Sequence, residues 1–252
     1  MKRKSNIRKT NRKALIAGVA LAALMIGGTL AAFLPSNRNT GSNRSSDVLN
    51  PNEIIQKLYN PVVQNASALG SSSASITLIE FGDYHCQSCA KFYRETGEQL
   101  FNNFLKTGQI RFLFKDYIIN DNNSSTADTS FPATEASYCA ADQGKYWQYH
   151  NALYDFSQTA NTTQWATKDN LKQLARNVGI ANILQFSNCL ESHKYTKTVN
   201  ENNNFARSIG VQTIPTFVLL SQRTKPLAIQ GAQSYSIFEQ AIREIQSASA
   251  QP

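Results

Sequence analysis

The segment LIEFGDYHCQSCAKFY, residues Leu78–Tyr93, contains two of the four cysteines of this 252-residue chain. Cys86 and Cys89 are separated by Gln87 and Ser88, which is a C-x-x-C spacing. Such a pair can be half of a zinc site, a structural disulfide or a redox centre. The surrounding sequence favours one of these alternatives.

The segments on either side of the motif alternate between strand and helix patterns. Ser75–Tyr84 is a β-branched and apolar run that predicts a buried strand, and Gln109–Ile119 predicts a second one. Apolar residues at helical spacing lie between them and stop at Gly108, which predicts a helix. The motif therefore lies at the strand-to-helix corner of a βαβ unit.

The rest of the domain adds a helical block and a second sheet segment. From Pro132 onward the pattern is helical, and after Gly210 it changes to two predicted strands, Thr216–Ser221 and Pro226–Gln230, joined as a hairpin. SYSIFEQAIREIQ then predicts a final amphipathic helix. The predicted order is βαβ, a helical block and ββα, which belongs to the α/β class.

The net charge of +8 is concentrated at the N-terminus. Seven of the 25 Lys and Arg residues lie in the first 13 positions, and no acidic residue precedes Asp47. Beyond those positions 18 basic and 17 acidic residues remain. A nearly neutral folded part argues against a nucleic-acid-binding surface.

An uncharged apolar segment follows the basic one. Residues 14–34 are long enough for a transmembrane helix, with residues 1–13 as a cytoplasmic tail. A cleaved signal peptide is the alternative, and either one exports the domain. Residues 35–52 are rich in Ser and Asn and predict a flexible linker. Residues 53–252 are then a domain on the extracytoplasmic side of the cell membrane, held by a single-pass anchor.

The position of the two cysteines predicts different chemistry for each. Cys86 would lie at a helix N-terminus, where unpaired N–H groups stabilise a thiolate. Cys89 would lie one turn further along, with poorer access to solvent. We therefore predict that Cys86 exchanges with substrate thiols and that Cys89 resolves the mixed disulfide.

The sequence resembles the DsbA-like branch of the thioredoxin superfamily over about residues 50–247. The resemblance rests on EFGDYHCQSCAKF, on TIPTFVLL with Pro215 at the cis-proline position, and on CAADQGKYWQYHNALY, which is similar to the inserted helical subdomain of that branch. It implies a thioredoxin-like fold, with a central mixed sheet flanked by helices and a helical insertion at about residues 121–208. One transmembrane helix would precede this domain.

The resemblance also implies roles for residues outside the motif. Glu80 matches a buried carboxylate that moves the proton of the resolving thiol, and Lys115 matches its cationic partner. The alternative is an edge Glu–Lys pair without a catalytic role. The backbone at Pro215, with Thr213 and Ile214, would pair with the substrate chain, unless this is an ordinary trans proline at a strand start.

Three residues beside the thiols are expected to tune the redox couple. Gln87 carries no charge, Ser88 can donate a hydrogen bond to the Cys86 sulfur, and His85 is the only histidine nearby. The strong oxidants of the resembled family have a histidine between their cysteines. We therefore expect intermediate stabilisation of the thiolate and a less oxidising couple.

The other two cysteines, Cys139 and Cys189, both lie in the helical block. A structural disulfide between two helices is the favoured interpretation, and a second redox relay or two unpaired thiols remain open. A zinc site is disfavoured because these two cysteines are not close together in sequence. No metal is therefore expected. His150 and His193 lack motif partners and are expected to be exposed or to pack in the core.

These observations predict a thiol–disulfide oxidoreductase that forms or exchanges disulfides in exported proteins, reduced or misoxidised. An oxidase of this kind implies a quinone-linked membrane partner of the DsbB or vitamin-K-epoxide-reductase type. A reductase or isomerase is the alternative within the class, and an anchored peptide-binding domain with a structural Cys86–Cys89 disulfide is the alternative outside it. We expect a monomer without a cofactor.

Overall fold

The computed structural model describes residues 49–60, 62, 67–119, 129–160, 162 and 164–250. The predicted cytoplasmic tail, the apolar segment and all but the last four residues of the predicted linker lie outside this range. Within the described residues, no helix combines the length and the apolar character that crossing a membrane requires. Helix α1, Pro51–Tyr59, begins inside the stretch predicted as linker, where the Asn50 side chain caps it and Glu53 completes a capping box.

Five strands form one mixed sheet in the order β1-β3-β2-β4-β5. They are β1 (Ala68–Leu69), β2 (Ile76–Gly82), β3 (Ile110–Asp116), β4 (Thr216–Ser221) and β5 (Leu227–Gln230). Strands β2 and β3 are parallel, and the other neighbouring pairs are antiparallel. The four predicted strands are confirmed, and the two-residue β1 is the strand that the sequence pattern missed.

The helix after the cysteine motif is confirmed, but it is not a regular α-helix. It begins as α2 (Gln87–Phe92), widens into a π-helical turn at Tyr93–Gly97, continues as α3 (Glu98–Leu100) and ends in a second π-helical turn at Phe101–Leu105. A π-turn changes the direction in which the following side chains point, because it adds a residue to the turn. Apolar spacing alone did not indicate these two turns.

The helical block contains five helices between β3 and β4 in the described part of the chain. They are α4 (Ser130–Ala141), α5 (Tyr146–Thr159), α6 (Lys168–Asn177), α7 (Ile183–Glu191) and α8 (Thr196–Ser208), and a last helix, α9 (Tyr235–Ala250), follows β5. A disulfide joins Cys139 on α4 to Cys189 on α7, with 5.8 Å between the Cα atoms. It connects two helices of the block.

The sheet separates two apolar clusters. Leu78, Phe112 and Phe217 belong to the larger one, which also contains both cysteines of the motif and most of the helical block. Ile79 and Leu113 point to the other face and pack with residues of α1 and α8. Because side chains alternate along a strand, this arrangement decides which titratable residues of β2 and β3 can approach the cysteines.

Candidate active site

Cys86 occupies the position just before α2, and its sulfur accepts hydrogen bonds. The backbone N–H of Cys89 lies 3.2 Å from the Cys86 Sγ, and the Ser88 Oγ lies 3.1 Å from it. The hydrogen bond from the Cys89 side chain has the largest effect on the Cys86 pKa, and together with the Ser88 and backbone hydrogen bonds it outweighs burial and the nearby Asp83 charge. These effects lower the pKa of Cys86 to about 7. The Cys86 thiol is therefore ionised more readily at neutral pH than an ordinary thiol.

Cys89 is in a different environment, although neither of the two thiols forms a disulfide. It is a residue of α2, and its side chain is completely buried. Burial raises its pKa well above the usual thiol value, and the interaction with Cys86 adds to this effect. The two pKa values thus shift in opposite directions, so that Cys86 is the more readily ionised thiol and Cys89 stays protonated.

Glu80 lies on β2 and points into the larger apolar cluster. Its side chain is buried, and its Oε1 atom has no hydrogen-bond partner among the described residues. Burial raises the pKa of Glu80 well above its usual value, and the charge of Cys86 raises it further. Glu80 also contributes to the raised pKa of Cys89. A carboxyl group in this environment is suited to carry a proton at neutral pH.

The prediction that Lys115 is the cationic partner of Glu80 is wrong. In the parallel register Glu80 is opposite Phe114, whereas Lys115 is opposite Phe81. Lys115 therefore points to the other face of the sheet. There its Nζ donates a hydrogen bond of 2.7 Å to the carbonyl oxygen of Asn60, and burial lowers its pKa to about 8.

The segment before β4 lies directly against the cysteine motif. The Ile214–Pro215 peptide bond is cis. The carbonyl oxygen of Ile214 accepts a hydrogen bond of 3.3 Å from the Ser88 Oγ and lies 3.9 Å from the Cys86 Sγ. Backbone groups of this segment are thus within reach of a chain attached to Cys86.

A groove of about 680 Å³ surrounds the exposed edge of Cys86. It contains five other residues that the sequence singled out, and two residues that it did not single out, Ile119 and Gln212. The groove is lined by His85, Cys86, Gln87, Ser88, Ile119, Gln212, Thr213 and Ile214. Cys86, the intervening dipeptide and the segment before Pro215 are therefore presented on one surface.

The helical block contributes to the site at His85. The indole Nε1 of Trp165 lies 3.1 Å from the His85 Nδ1, and the Thr129 Oγ1 lies 3.2 Å from the same nitrogen. Sequence reasoning missed Trp165 and Thr129, since they lie 80 and 44 residues away and belong to no motif. His150 packs in the core against Tyr84, and burial lowers its pKa to about 3.

Metal ligation finds no support in the described residues, where no group of three or more His, Cys, Asp or Glu side chains could hold an ion. The site instead combines one thiol of lowered pKa, a second thiol of raised pKa and a buried carboxyl group. The fold and this site together define a thiol–disulfide oxidoreductase.

Comparison with known proteins supports this class. Residues 63–243 match the family described as "Thioredoxin", and the chain belongs to that family. It is 23% identical over 168 residues to "Disulfide bond formation protein D" of Bacillus subtilis, which covers 67% of this chain and 73% of the relative. It is 22% identical over 216 residues to a "Putative protein-disulfide oxidoreductase" of Rickettsia felis, with 82% and 70% coverage.

Solved structures show the same fold. Oxidised BdbD from Bacillus subtilis superposes with a TM-score of 0.62 at 21% identity, over 73% of this chain and 95% of that chain. DsbA from Chlamydia trachomatis gives a TM-score of 0.63 at 20% identity, over 75% and 95%. The DsbA-like resemblance and the thiol–disulfide oxidoreductase class predicted from the sequence are confirmed.

Proposed function

We propose that the protein forms or exchanges disulfide bonds in exported proteins, with Cys86 as the exchanging thiol and Cys89 as the resolving thiol. The observation that carries the proposal is the opposite shift of the two thiol pKa values within one motif. A thiolate that is stable at neutral pH is both a good nucleophile and a good leaving group. Cys86 has this property and lies on the groove.

In the forming direction, the Cys86–Cys89 disulfide is the oxidant. A substrate thiolate attacks the Cys86 sulfur, the Cys86–Cys89 bond breaks, and Cys89 leaves as a thiolate that takes a proton. A second thiolate of the same substrate then attacks the substrate sulfur of the mixed disulfide. The substrate disulfide forms, and the Cys86 thiolate is released. Two electrons pass from the substrate to the cysteine pair, and one disulfide forms in the substrate.

Three further groups have roles in this proposal. Glu80 supplies the proton that Cys89 takes up, because it is buried beside the motif and its raised pKa favours the protonated form. The backbone at Thr213 and Ile214, next to Pro215, receives the substrate chain as an added strand beside Cys86. Ser88 and the uncharged Gln87 set how strongly the thiolate is stabilised.

The direction of exchange has two candidates. The names of the Bacillus relatives refer to disulfide bond formation, which favours an oxidase. The Cys86 pKa of about 7 favours a less oxidising couple, since thioredoxin has a value of about 7 and DsbA about 3.5. The Cys86 pKa is therefore a specific argument for an isomerase or a reductase.

The proposed setting is the outer side of the cell membrane. Residues 14–34 anchor the domain, residues 1–13 stay in the cytoplasm, and the domain works as a monomer on reduced or misoxidised exported proteins. An oxidase must be reoxidised after each turnover, so we assign it a quinone-linked membrane partner of the DsbB or vitamin-K-epoxide-reductase type. The amino-acid sequence of the first 34 residues supports the anchor.

One experiment separates the two directions. The reduced full chain is equilibrated with glutathione buffers of known potential, and the oxidised chain is mixed with a reduced test protein in a single turnover. Rapid oxidation together with a potential well above that of thioredoxin supports the oxidase. A reduction potential of about −270 mV, as in thioredoxin, favours the reductase. Absence of any transfer would contradict both and favour a peptide-binding domain with a structural disulfide.

A further inference from the structure

His85, the residue next to Cys86, receives two contacts on the same ring nitrogen. The Trp165 Nε1 lies 3.1 Å from the His85 Nδ1, and the Thr129 Oγ1 lies 3.2 Å from it. The two contacting groups differ in their hydrogen-bonding capacity. An indole N–H only donates, whereas a hydroxyl group either donates or accepts.

This difference fixes the chemical form of the imidazole. Because the indole N–H of Trp165 donates to the Nδ1, this nitrogen carries a lone pair and no proton. The ring is then neutral, and its single N–H group is Nε2–H. Thr129 is compatible with either state, so Trp165 is the residue that decides between them.

Trp165 is firmly positioned for this role. It is only 1% exposed, and its ring lies edge-on against Phe156 at 6.0 Å between centroids. Its carbonyl oxygen accepts a hydrogen bond of 2.7 Å from the side chain of Asn170, in the first turn of α6. The other side of the contact is fixed as well, since the His85 backbone N–H donates to the Asp83 Oδ1 at 2.9 Å.

We propose that Trp165 is a positioning residue that keeps His85 in its neutral Nε2–H form beside Cys86. In this form His85 adds no positive charge next to the thiolate, which is stabilised by hydrogen bonds alone. The Nε2–H group is also the donor that this groove-lining side chain can offer to a bound substrate chain. The consequence for exchange rests on the proposed function, but the protonation state of His85 does not.

Negatively charged groups beside His85 oppose the effect of the indole contact on the imidazole. Among the residues that the structure describes, Asp83 and the Cys86 thiolate are titratable groups next to His85, and negative charge on either favours an imidazolium. The N–H of Trp165 opposes this, because a proton on Nδ1 would face another donor. Without the indole, the Thr129 hydroxyl can turn and accept a hydrogen bond from a protonated Nδ1.

The direct test is the tautomer itself. Nitrogen-15 NMR of the full chain labelled at its three histidines distinguishes Nδ1–H, Nε2–H and imidazolium forms, and His85→Asn assigns the signal. We expect His85 as Nε2–H at neutral pH. An Nδ1–H tautomer or an imidazolium would overturn the proposal, and this measurement on the unmodified chain needs neither a variant nor any activity.

The second test uses both tryptophans of the chain. Trp165→Phe removes the donor and keeps an aromatic ring, and Trp147→Phe is the matched control because that indole donates to the Ala68 carbonyl oxygen at 3.1 Å. In Trp165→Phe we expect His85 to gain a proton and the Cys86 thiolate midpoint to fall by up to about 1 pH unit, which is about tenfold in the thiolate-to-thiol ratio. The control should not move.

A double variant completes the test. His85→Asn combined with Trp165→Phe should return the midpoint to that of His85→Asn alone, since the effect passes through the imidazole. A shift that persists without His85, or an equal shift in Trp147→Phe, would contradict the proposal. If the tautomer is Nε2–H but the chain transfers no disulfides, the proposed function fails and this inference stands.

Discussion

The two cysteine pairs of this chain differ in almost every physical respect. Cys86 and Cys89 are separated by only two residues, are free thiols and have pKa values shifted in opposite directions. Cys139 and Cys189 are 50 positions apart and form a disulfide between α4 and α7. One pair is adjacent to a groove, and the other connects two helices of the helical block.

The comparison shows that environment, not residue type, decides what a cysteine pair does. In the motif, hydrogen bonds stabilise one thiolate while burial disfavours the other, which makes exchange with a substrate possible. The Cys139–Cys189 bond closes a long loop, so its expected contribution is to stability. Four sets of variants test this division of roles.

The largest effect is expected from Cys86→Ser. The sulfur that the substrate thiolate attacks is lost and no Cys86–Cys89 disulfide can form, so disulfide transfer to a reduced test protein should fall by about three orders of magnitude or more. With an oxidised test protein, the Cys86 thiolate of Cys89→Ser attacks the substrate disulfide and releases one substrate thiolate. Since no second thiol resolves the product, a mixed disulfide on Cys86 should accumulate and be visible by mass spectrometry. The control is the double variant Cys139→Ser and Cys189→Ser, which should retain transfer. If this double variant folds but no longer transfers disulfides, the different roles assigned to the two cysteine pairs are wrong.

That double variant should have the largest effect on stability. Removing a crosslink over 50 residues is expected to lower the free energy of unfolding by about 4 kcal/mol in the chain-entropy description. Denaturant unfolding of the double variant and the parent, both with the Cys86–Cys89 pair reduced, measures the difference. A change below about 1 kcal/mol would show that the pair has no structural role.

Much of the redox motif could be predicted from the sequence because its signals are local. A β-branched run, a C-x-x-C and a helical pattern follow one another between Ser75 and Gly108, so the strand, the corner and the different exposure of the two thiols are all indicated. The position of Thr213 and Ile214 beside Cys86 came instead from resemblance, because 124 residues or more separate these segments.

The missed features depend on long-range geometry. Lys115 was paired with Glu80 because the two strands are neighbours, but a one-residue difference in register sends the two side chains to opposite faces. The contact of Trp165 with His85 depends on how the helical block packs on the motif, and no spacing rule indicates it. Hydrophobic patterns predict which elements pack, not which atoms meet.

The third prediction concerns proton transfer within the motif. Glu80→Gln removes the group that we assign to protonate Cys89, so release of Cys89 during exchange should slow by about a hundredfold. Stopped-flow exchange with a small disulfide measures this step. The exposed Glu244→Gln is the control and should not change the rate. An unchanged rate in Glu80→Gln would leave the carboxyl group without a catalytic role.

Glu80→Gln should also change how stability depends on pH. Burial raises the Glu80 pKa in the folded state, so above the usual value of 4.5 the folded chain binds more protons than the unfolded chain. Stability of the parent should therefore fall as pH rises from about 4.5 towards the folded-state pKa. Glutamine does not titrate, so the free energy of unfolding of the variant minus that of the parent should increase as pH rises above about 4.5. Below about pH 4 this difference should no longer depend on pH.

The smallest effect is expected from Ser88→Ala, and it tests how finely the Cys86 thiolate is balanced. The Ser88 Oγ lies 3.1 Å from the Cys86 sulfur and also donates to the Ile214 carbonyl oxygen, so its hydrogen bond is shared between two acceptors. Its loss should raise the Cys86 pKa from about 7 by about half a unit, because the backbone N–H and the side chain of Cys89 continue to donate. Ultraviolet titration of the thiolate measures the shift, and Gln87→Ala, in the exposed half of the same dipeptide, is the control. Equal shifts in both variants would show that the dipeptide acts through the helix as a whole and not through this hydrogen bond.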